Sequence, residues 1–512
     1  MRESVHHGLQ DGAAEPKADL SAWLAVAAGT IGAFMAMLDI SIVNAALPTI
    51  QGGIGASAAE GTWVSTAYLV AEIVMIPLAA WLANMLGLRR FLIIVAALFT
   101  LFSMVCGLSN DLTQMILGRL GQGFTGGAMI PMAMTIVATR LPPAQQPLGI
   151  GLFGMTAVLG PVLGPITGGW LTEHLSWHYA FFLNLPVGAG LILLLLFGVP
   201  DARPRWDMIA EADLPGMAGL ALGLGGLTTL LEEGQRDQWF ESPFIMTMAL
   251  TSASGFLLLF AGQAFSRRPV IRLGILFERA FGGVFVLTLG VGAAFYGIVY
   301  IIPQFLVSVA GYNAEQSGLV AMVSGLPTIA LMALFPALVR RIDLRAAIAL
   351  GLVLYAASCF MDMHLSELSA GPQFLGSQLL RGLAQFFCLM FLNQAAACAV
   401  RPDLAEDASG LFNVARNLGG SIGLAAIAVV QEQRTFFHAA RLSESMAANN
   451  PVVHGAIDTQ GLAQIAGLVQ DEAAVMAFAD LYWVFGAMML LMIPLVLLLK
   501  PVPKGAGIAM ML

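Results

Sequence analysis

The chain has 512 residues, 58% of them hydrophobic and 11% charged, with a mean hydropathy of +0.83. Ordinary soluble domains carry roughly 25% charged residues, so this composition excludes a soluble globular protein and requires a bilayer as the solvent. The formal net charge of −8 says little about partners, because in such a chain the position of each charge relative to the membrane matters more than the total.

A spanning helix needs about 20 predominantly apolar residues. Fourteen runs meet that length, at 23–47, 62–86, 90–109, 112–137, 147–171, 179–199, 214–231, 243–265, 281–306, 315–339, 346–364, 373–400, 406–430 and 481–499. Continuous runs of this kind predict an all-α bundle, not the short alternating segments of a barrel. The polar N-terminus, 1–20, lacks a signal-peptide core and reads as a cytoplasmic tail, as does 501–512. His6 and His7 stand there without further ligands, and no metal site is expected. With both termini inside, 17 of the 23 Lys and Arg residues fall on the inner side, 3 on the outer side and 3 within spans. That asymmetry sets the orientation.

The first run, 35-MAMLDISIVNAALP-48, places Asp39 among apolar residues. The second carries Glu72 and the fourth Arg119. At 1.5 Å per residue these lie about 12, 15 and 10 Å from the outer ends of their helices, a shared level that lets them meet in one cavity. A charge at a helix centre costs roughly 2.5–3.5 kcal/mol on insertion scales. Such residues serve either as a fixed ion pair or as a site that loads and releases a proton. The second reading makes Asp39 the proton-coupling acid, with Glu72 and Arg119 modulating it. The turn 80-AAWLANMLGLRRFL-93 combines a permissive Gly87 with Arg89 and Arg90 at the inner edge. In the fifth run, Gly160, Gly164 and Gly168 recur every four residues, a spacing that lets membrane helices pack closely, while Pro161 and Pro165 add kinks. Next to them stands Gly169.

Arg119 and Arg381 lie 262 residues apart in similar contexts, 117-LGRLGQGFTGGAM-129 and 379-LLRGLAQFFCLM-390. Repeated halves with a midplane site between them mark transporters. The chain then divides into an N-terminal six-helix bundle (21–200), two inserted helices (201–270) and a C-terminal six-helix bundle (271–500). The last bundle contains a long outer loop, 431–480, broken at 449-NNP-451, whose second part, 459–483, reads as an amphipathic helix running into the last span; the loop is either a solvated cap or a docking surface. Candidate pocket residues near mid-span are Tyr68, Phe295, Tyr296, Tyr300, Gln304, Asn393, Phe412, Asn413 and Arg416, or these are helix-packing core. The four cysteines read as small hydrophobes. No phosphate-binding loop, zinc-ligand pair or nucleophile elbow is found, so no cofactor and no nucleic acid is expected and the energy source is a gradient. A receptor would normally bring a signalling domain, and an enzyme would need a catalytic constellation.

Several of these stretches resemble a known family, the fourteen-span drug:proton antiporters of the major facilitator superfamily, of EmrB/QacA type. The segment 38-LDISIVNAALPTI-50 is similar to that family's first-span signature, 81-WLANMLGLRR-90 to motif A, 119-RLGQG-123 to motif B and 160-GPVLGPITGG-169 to the antiporter motif C. The stretches 177-WHYAFFLNLPVG-188 and 416-RNLGGSIG-423 also resemble family patterns. The resemblance implies proton-driven export of hydrophobic or amphipathic drugs across a bacterial inner membrane by alternating access. It makes Asp39 the proton-coupling acid and Arg119 the motif B arginine. It also implies a periplasmic adaptor and an outer-membrane channel as partners. A substrate-specific facilitator or symporter is the competing transport reading, and motif C argues against it. Ala80 and Asn84 depart from motif A, which often has Gly and Asp there, so the resemblance does not carry over the inner charge-relay gate.

Overall fold

The structure, a computed structural model, describes residues 18–142, 144–266, 269–401, 404–445 and 459–500. His6, His7, most of the N-terminal tail, 449-NNP-451 and the tail 501–512 lie outside the described residues.

The described chain is helical throughout. It begins with α1 (Leu20–Ile54), whose first turn is capped by Asp19 accepting from the Ala22 amide at 2.9 Å. Such a cap satisfies one of the amides that a helix start leaves without an internal partner. Then come α2 (Trp63–Leu86), α3 (Leu88–Gly107), α4 (Leu112–Arg140), α5 (Gln146–His174) and α6 (Tyr179–Gly198). The pair α7 (Leu214–Glu233) and α8 (Pro243–Phe265) precedes α9 (Arg279–Ser308). Three short helices, Ala314–Met322, Gly325–Met332 and Phe335–Arg341, follow one another as a broken rod, together α10. The chain closes with α11 (Leu344–Met361), α12 (Gly371–Ala399), α13 (Ala405–Ser445) and α14 (Thr459–Met492).

Twelve of these helices are long and apolar enough to cross a membrane, against fourteen expected from the runs. The difference lies in α4 and α10. α4 is a continuous helix of 29 residues, but it spends much of its composition on Arg119, Gln122, Thr125 and glycines turned inward. In α10, Pro327 and Pro336 each lack an amide proton, and the rod breaks between its pieces.

In the segment 431–480, the helix expected over 459–483 is present as the start of α14 at Thr459, running into the last span, while α13 continues to Ser445 where a polar connection was expected. Asp480 of α14 accepts from Arg434 Nε and pairs with His438 Nε2 of α13, each at 2.6 Å. That pairing holds the two helices together.

Packing follows the repeat. α1 lies along α5 and α2 along α4, while α9 lies along α13 and α13 along α14. The two sets of six helices meet along α2 against α13 and along α5 against α10. The α7/α8 pair sits beside the first of these seams, with α7 touching both α2 and α13. Near its end, the Glu233 carboxylate accepts from Thr66 Oγ1 of α2 at 2.6 Å, and Glu232 accepts from Ser421 of α13.

Small residues decide how close the helices come. A Cβ added at Gly164 would lie 2.1 Å from Ser41 Cβ of α1, so only glycine allows this approach. A Cβ at Gly160 or Gly168 would lie 2.8 Å from Met37 Cβ or 2.7 Å from the Ile42 carbonyl oxygen. The glycine face of α5 therefore packs within its own six-helix set. The seam with the other set is formed by a different face, where Pro165 and Ile166 meet Gly318 and Gly151 meets Met332.

Candidate functional site

Asp39 and Arg119 meet directly and are fully buried. Arg119 Nη1 lies 2.5 Å from Asp39 Oδ2, and its Nε donates to the Val64 carbonyl at 3.0 Å. The guanidinium sits over the Tyr68 ring at 4.3 Å, a geometry in which the ring face attracts the cation. Two further donors complete the carboxylate's surroundings: Gln122 Nε2 at 3.0 Å and Asn184 Nδ2 at 2.6 Å from Asp39 Oδ1. Both carboxamides also donate to Ser103 Oγ, which donates in turn to the Phe181 carbonyl. The cage draws on α1, α2, α3, α4 and α6. Its donor set matches an ionised carboxylate, which accepts and cannot donate.

Glu72, expected beside these two, lies within the attraction of Arg119 but makes its hydrogen bond elsewhere. It is buried on α2 and accepts a hydrogen bond from Asn417 within the attraction of Arg416, both on α13. It therefore reaches across the seam between the two helix sets. Tyr296 of α9 joins the same group, its hydroxyl donating to Asn417 Oδ1 at 3.5 Å. Arg416 keeps an Nε with no acceptor, and Asn413 an Oδ1 with no donor.

The remaining pocket candidates divide. Phe295 lines a crevice between α5, α9, α10 and α12. Phe412 and Asn393 are buried in their helices, and Gln304 is half-buried with its Oε1 unpartnered. Tyr68 belongs to the Arg119 cage instead of a cleft. Tyr300 is 49% exposed on the outer surface of α9, because a position five residues beyond Phe295 on a 3.6-residue helix turns to another face.

Gly87 takes φ +83° between α2 and α3, a backbone conformation that side chains disfavour. Arg90 pairs with Asp201 at 2.9 Å, and the guanidinium holds that carboxyl below its ordinary range. Arg205 Nε donates to the Asn84 carbonyl at 3.0 Å and its Nη2 to Asn84 Oδ1 at 3.4 Å. The turn is thus tied to the segment after α6, with Asn84 used as an acceptor. Arg89 is half-buried beside it.

Reading the sequence missed three participants. Gln122 and Asn184 complete the cage. Gln122 had a signal, standing one turn from Arg119 on the same face. Asp362, at the C-terminal end of α11, pairs with Arg381 at 2.7 Å. It falls inside the apolar run 346–364, and its partner is 19 residues away on the next helix.

Comparison with known proteins places these features in a family. Residues 29–424 match the model of the Major Facilitator Superfamily. The "Colistin resistance protein EmrB" of Acinetobacter baumannii is 32% identical over 465 residues, covering 90% of this chain and 91% of that protein. The "Multidrug export protein EmrB" of Escherichia coli is 28% identical, covering 93% and 95%. Among solved structures, the human organic anion transporter MFSD10 (TETRAN) superposes with a TM-score of 0.63 at 15% identity, over 93% of this chain and 99% of that one. The chain belongs to the Major Facilitator Superfamily, in which its relatives are multidrug exporters of EmrB type.

Proposed function

We propose that this transporter exports hydrophobic or amphipathic drugs across a bacterial inner membrane in exchange for protons. The single observation that carries the proposal is a buried acid at the seam: Glu72 of α2 against Arg416 and Asn417 of α13. Alternating access requires the two halves to part first on one side and then on the other. A charged Glu72 attracts Arg416 and holds the seam; a protonated one no longer does. Proton loading and seam opening then become one event. Asp39 takes part from inside its half. Its pairing with Arg119 joins α1 to α4, and a proton on Asp39 would release the guanidinium from its carboxylate. A membrane potential of 100 mV supplies about 2.3 kcal/mol per elementary charge, enough to bias such a cycle.

In this reading α4 and α10 also cross the membrane, giving fourteen spans with both termini cytoplasmic. Support comes from the buried polar face of α4, which belongs inside a bundle, and from the inner excess of Lys and Arg. The outer extension of α13 and α14 is the surface for a periplasmic adaptor that leads to an outer-membrane channel. Ser445 lies 29 residues past Arg416, about 43 Å along a helix, well beyond half of a hydrocarbon layer about 30 Å thick.

Drug-stimulated proton release from proteoliposomes tests the exchange. The wild type is expected to release protons when drug is added. Glu72→Gln and Asp39→Asn are each expected to abolish that release, while Glu72→Gln retains drug counterflow because it keeps the shape and hydrogen bonding of the site. Proton release surviving in both correctly inserted variants would sink the mechanism.

A further inference from the structure

The end of α7 carries two neighbouring carboxylates, and their surroundings differ. Glu233 is buried and fully paired. It accepts from Thr66 Oγ1 at 2.6 Å and from Thr62 Oγ1 at 3.4 Å, at the start of α2, and Arg236 Nη1 lies 2.7 Å from its Oε2. Arg236 also pairs with Asp237 at 3.0 Å. Glu232 has no such company. It accepts from Ser421 of α13, its Oε1 is buried without a donor, and the charge acting on it is that of Glu233. The other charges packed around this end are engaged elsewhere: Glu432 of α13 accepts from Gln235, Arg416 of α13 attracts Glu72, and α8 carries no charged residue. The Glu232 anion therefore gains nothing that a fixed ion pair would supply, and its carboxyl is free to exchange a proton.

Position gives that exchange a direction. Glu72 accepts from Asn417 and Glu232 from Ser421. These two α13 residues stand four apart on one face, about 6 Å along the axis. α7 runs against α2, with Gly225 facing Val70 and Val74 while Glu233 reaches Thr66 and Thr62. Glu232 thus lies between Glu72 and the turn 234–242, which exposes Arg236, Gln238 and Glu241.

We infer that Glu232 is a proton-relay residue, which takes a proton from water at the α7/α8 turn and passes it to Glu72 across one turn of α13. This rests on the proton-exchange reading, in whose orientation the turn lies on the outer side. A proton from outer water binds a Glu232 carboxylate oxygen. The acid then gives a proton, through one bridging water, to the Glu72 carboxylate. Glu232 returns to the carboxylate and is reloaded from outside, while neutral Glu72 lets go of Arg416. Only O–H bonds are exchanged, one formed for each one broken. The inserted helices thereby gain a task of their own: α7 touches both α2 and α13 and brings the relay carboxyl to the seam between them.

The test uses the full-length protein in proteoliposomes, with ethidium as the exported probe and the outer side more acidic by a fixed difference. Two rates are read: export driven by that gradient, and ethidium counterflow without a gradient, which needs no net proton uptake. Glu232→Gln can still accept from Ser421 but cannot carry a proton. Its ratio of driven export to counterflow is expected to fall about tenfold below wild type at an outer pH of about 8, equivalent to about 1.4 kcal/mol on the barrier. The deficit should nearly vanish at an outer pH of about 6, because water then delivers protons to Glu72 directly. Glu232→Asp keeps a carboxyl and should recover most of the ratio at the higher pH. If Glu232 only fastens α7 to α13, Glu232→Gln lowers both rates alike, the ratio stays at the wild-type value, and the assignment is overturned. A deficit of equal size at both pH values overturns it too. Glu232→Ala repeats the comparison without a partner for Ser421; a ratio equal to wild type at the higher pH there has the same consequence. Glu72→Gln separates the two readings. Gradient-driven export that survives in Glu72→Gln sinks the exchange reading, whereas its loss there with Glu232→Gln unaffected sinks the relay alone.

Discussion

Asp39 illustrates how much a single buried charge depends on its partner. Asp39→Asn leaves Arg119 fully buried without a counter-ion. Breaking a buried pair from one side typically costs about 3–5 kcal/mol, whereas replacing both members by apolar residues is often neutral. The expected outcome is a marked fall in the thermal midpoint of Asp39→Asn in detergent. Asp39→Leu combined with Arg119→Met should recover most of it without restoring proton-coupled transport. Equal losses in the single and double variants would mean that the cage is not held by this pair. The exposed pair of Arg90 and Asp201 behaves differently. Arg90 lowers the pKa of Asp201, so its contribution is fully present above the unfolded carboxylate range, about 3.9, and is lost as pH falls through the lower folded value. The difference in thermal midpoint between wild type and Asp201→Asn should therefore be flat from pH 8 to pH 5 and shrink toward pH 3. A difference that grows on acidification would contradict the pairing.

Among the elements, α5 is the most constrained, because two of its faces are packed at once. One glycine face meets α1 and the proline-bearing face meets α10. Gly164→Leu puts a branched side chain where even a Cβ lies 2.1 Å from Ser41 Cβ. Overpacking of this kind costs about 1–3 kcal/mol or more. Loss of folded protein on size-exclusion chromatography and a lowered thermal midpoint are expected. Gly52→Ala on α1 has nothing within 4 Å of the added carbon and should leave both unchanged. If the two variants behave alike, close approach of α1 and α5 is not what the glycines provide. The regular spacing of Gly160, Gly164 and Gly168 was plain in the sequence. The helix they meet was not, since Ser41 and Gly164 are 123 residues apart.

For the whole molecule the question is whether the seam between the halves opens. A Cβ at Gly318 would sit 3.1 Å from Pro165 and 3.2 Å from Ile166, so this part of the α5/α10 seam is closed here. Ile166→Cys with Gly318→Cys should therefore be bridged by a short bifunctional methanethiosulfonate, which joins each thiol through a disulfide. The bridged protein is expected to lose drug export and to regain it on reduction. Three of the four native cysteines are buried and the fourth half-buried, which limits background reaction. Undiminished export by the fully bridged protein would mean that this part of the seam does not move. The α7/α8 pair enters at the same scale. Glu232 and Glu233 hold opposite sides of the α2/α13 seam, so the inserted helices are tied to both halves at once.

An all-helical membrane protein follows from the residues directly, because twenty apolar residues in a row are a local property that the bilayer reads segment by segment. The levels of Asp39 and Arg119 were equally accessible, since depth along a helix needs only a rise per residue. Which residues enclose that pair was not accessible. Asn184 lies 145 positions from Asp39, and no local signal sets the rotation of one helix about its axis against another. The same limit placed Tyr300 in a pocket it does not line, and sent Glu72 toward Asp39 when it faces Arg416. Depth comes from counting along one chain segment, whereas azimuth and partner come from how fourteen helical segments share a common interior, and only their packing decides that.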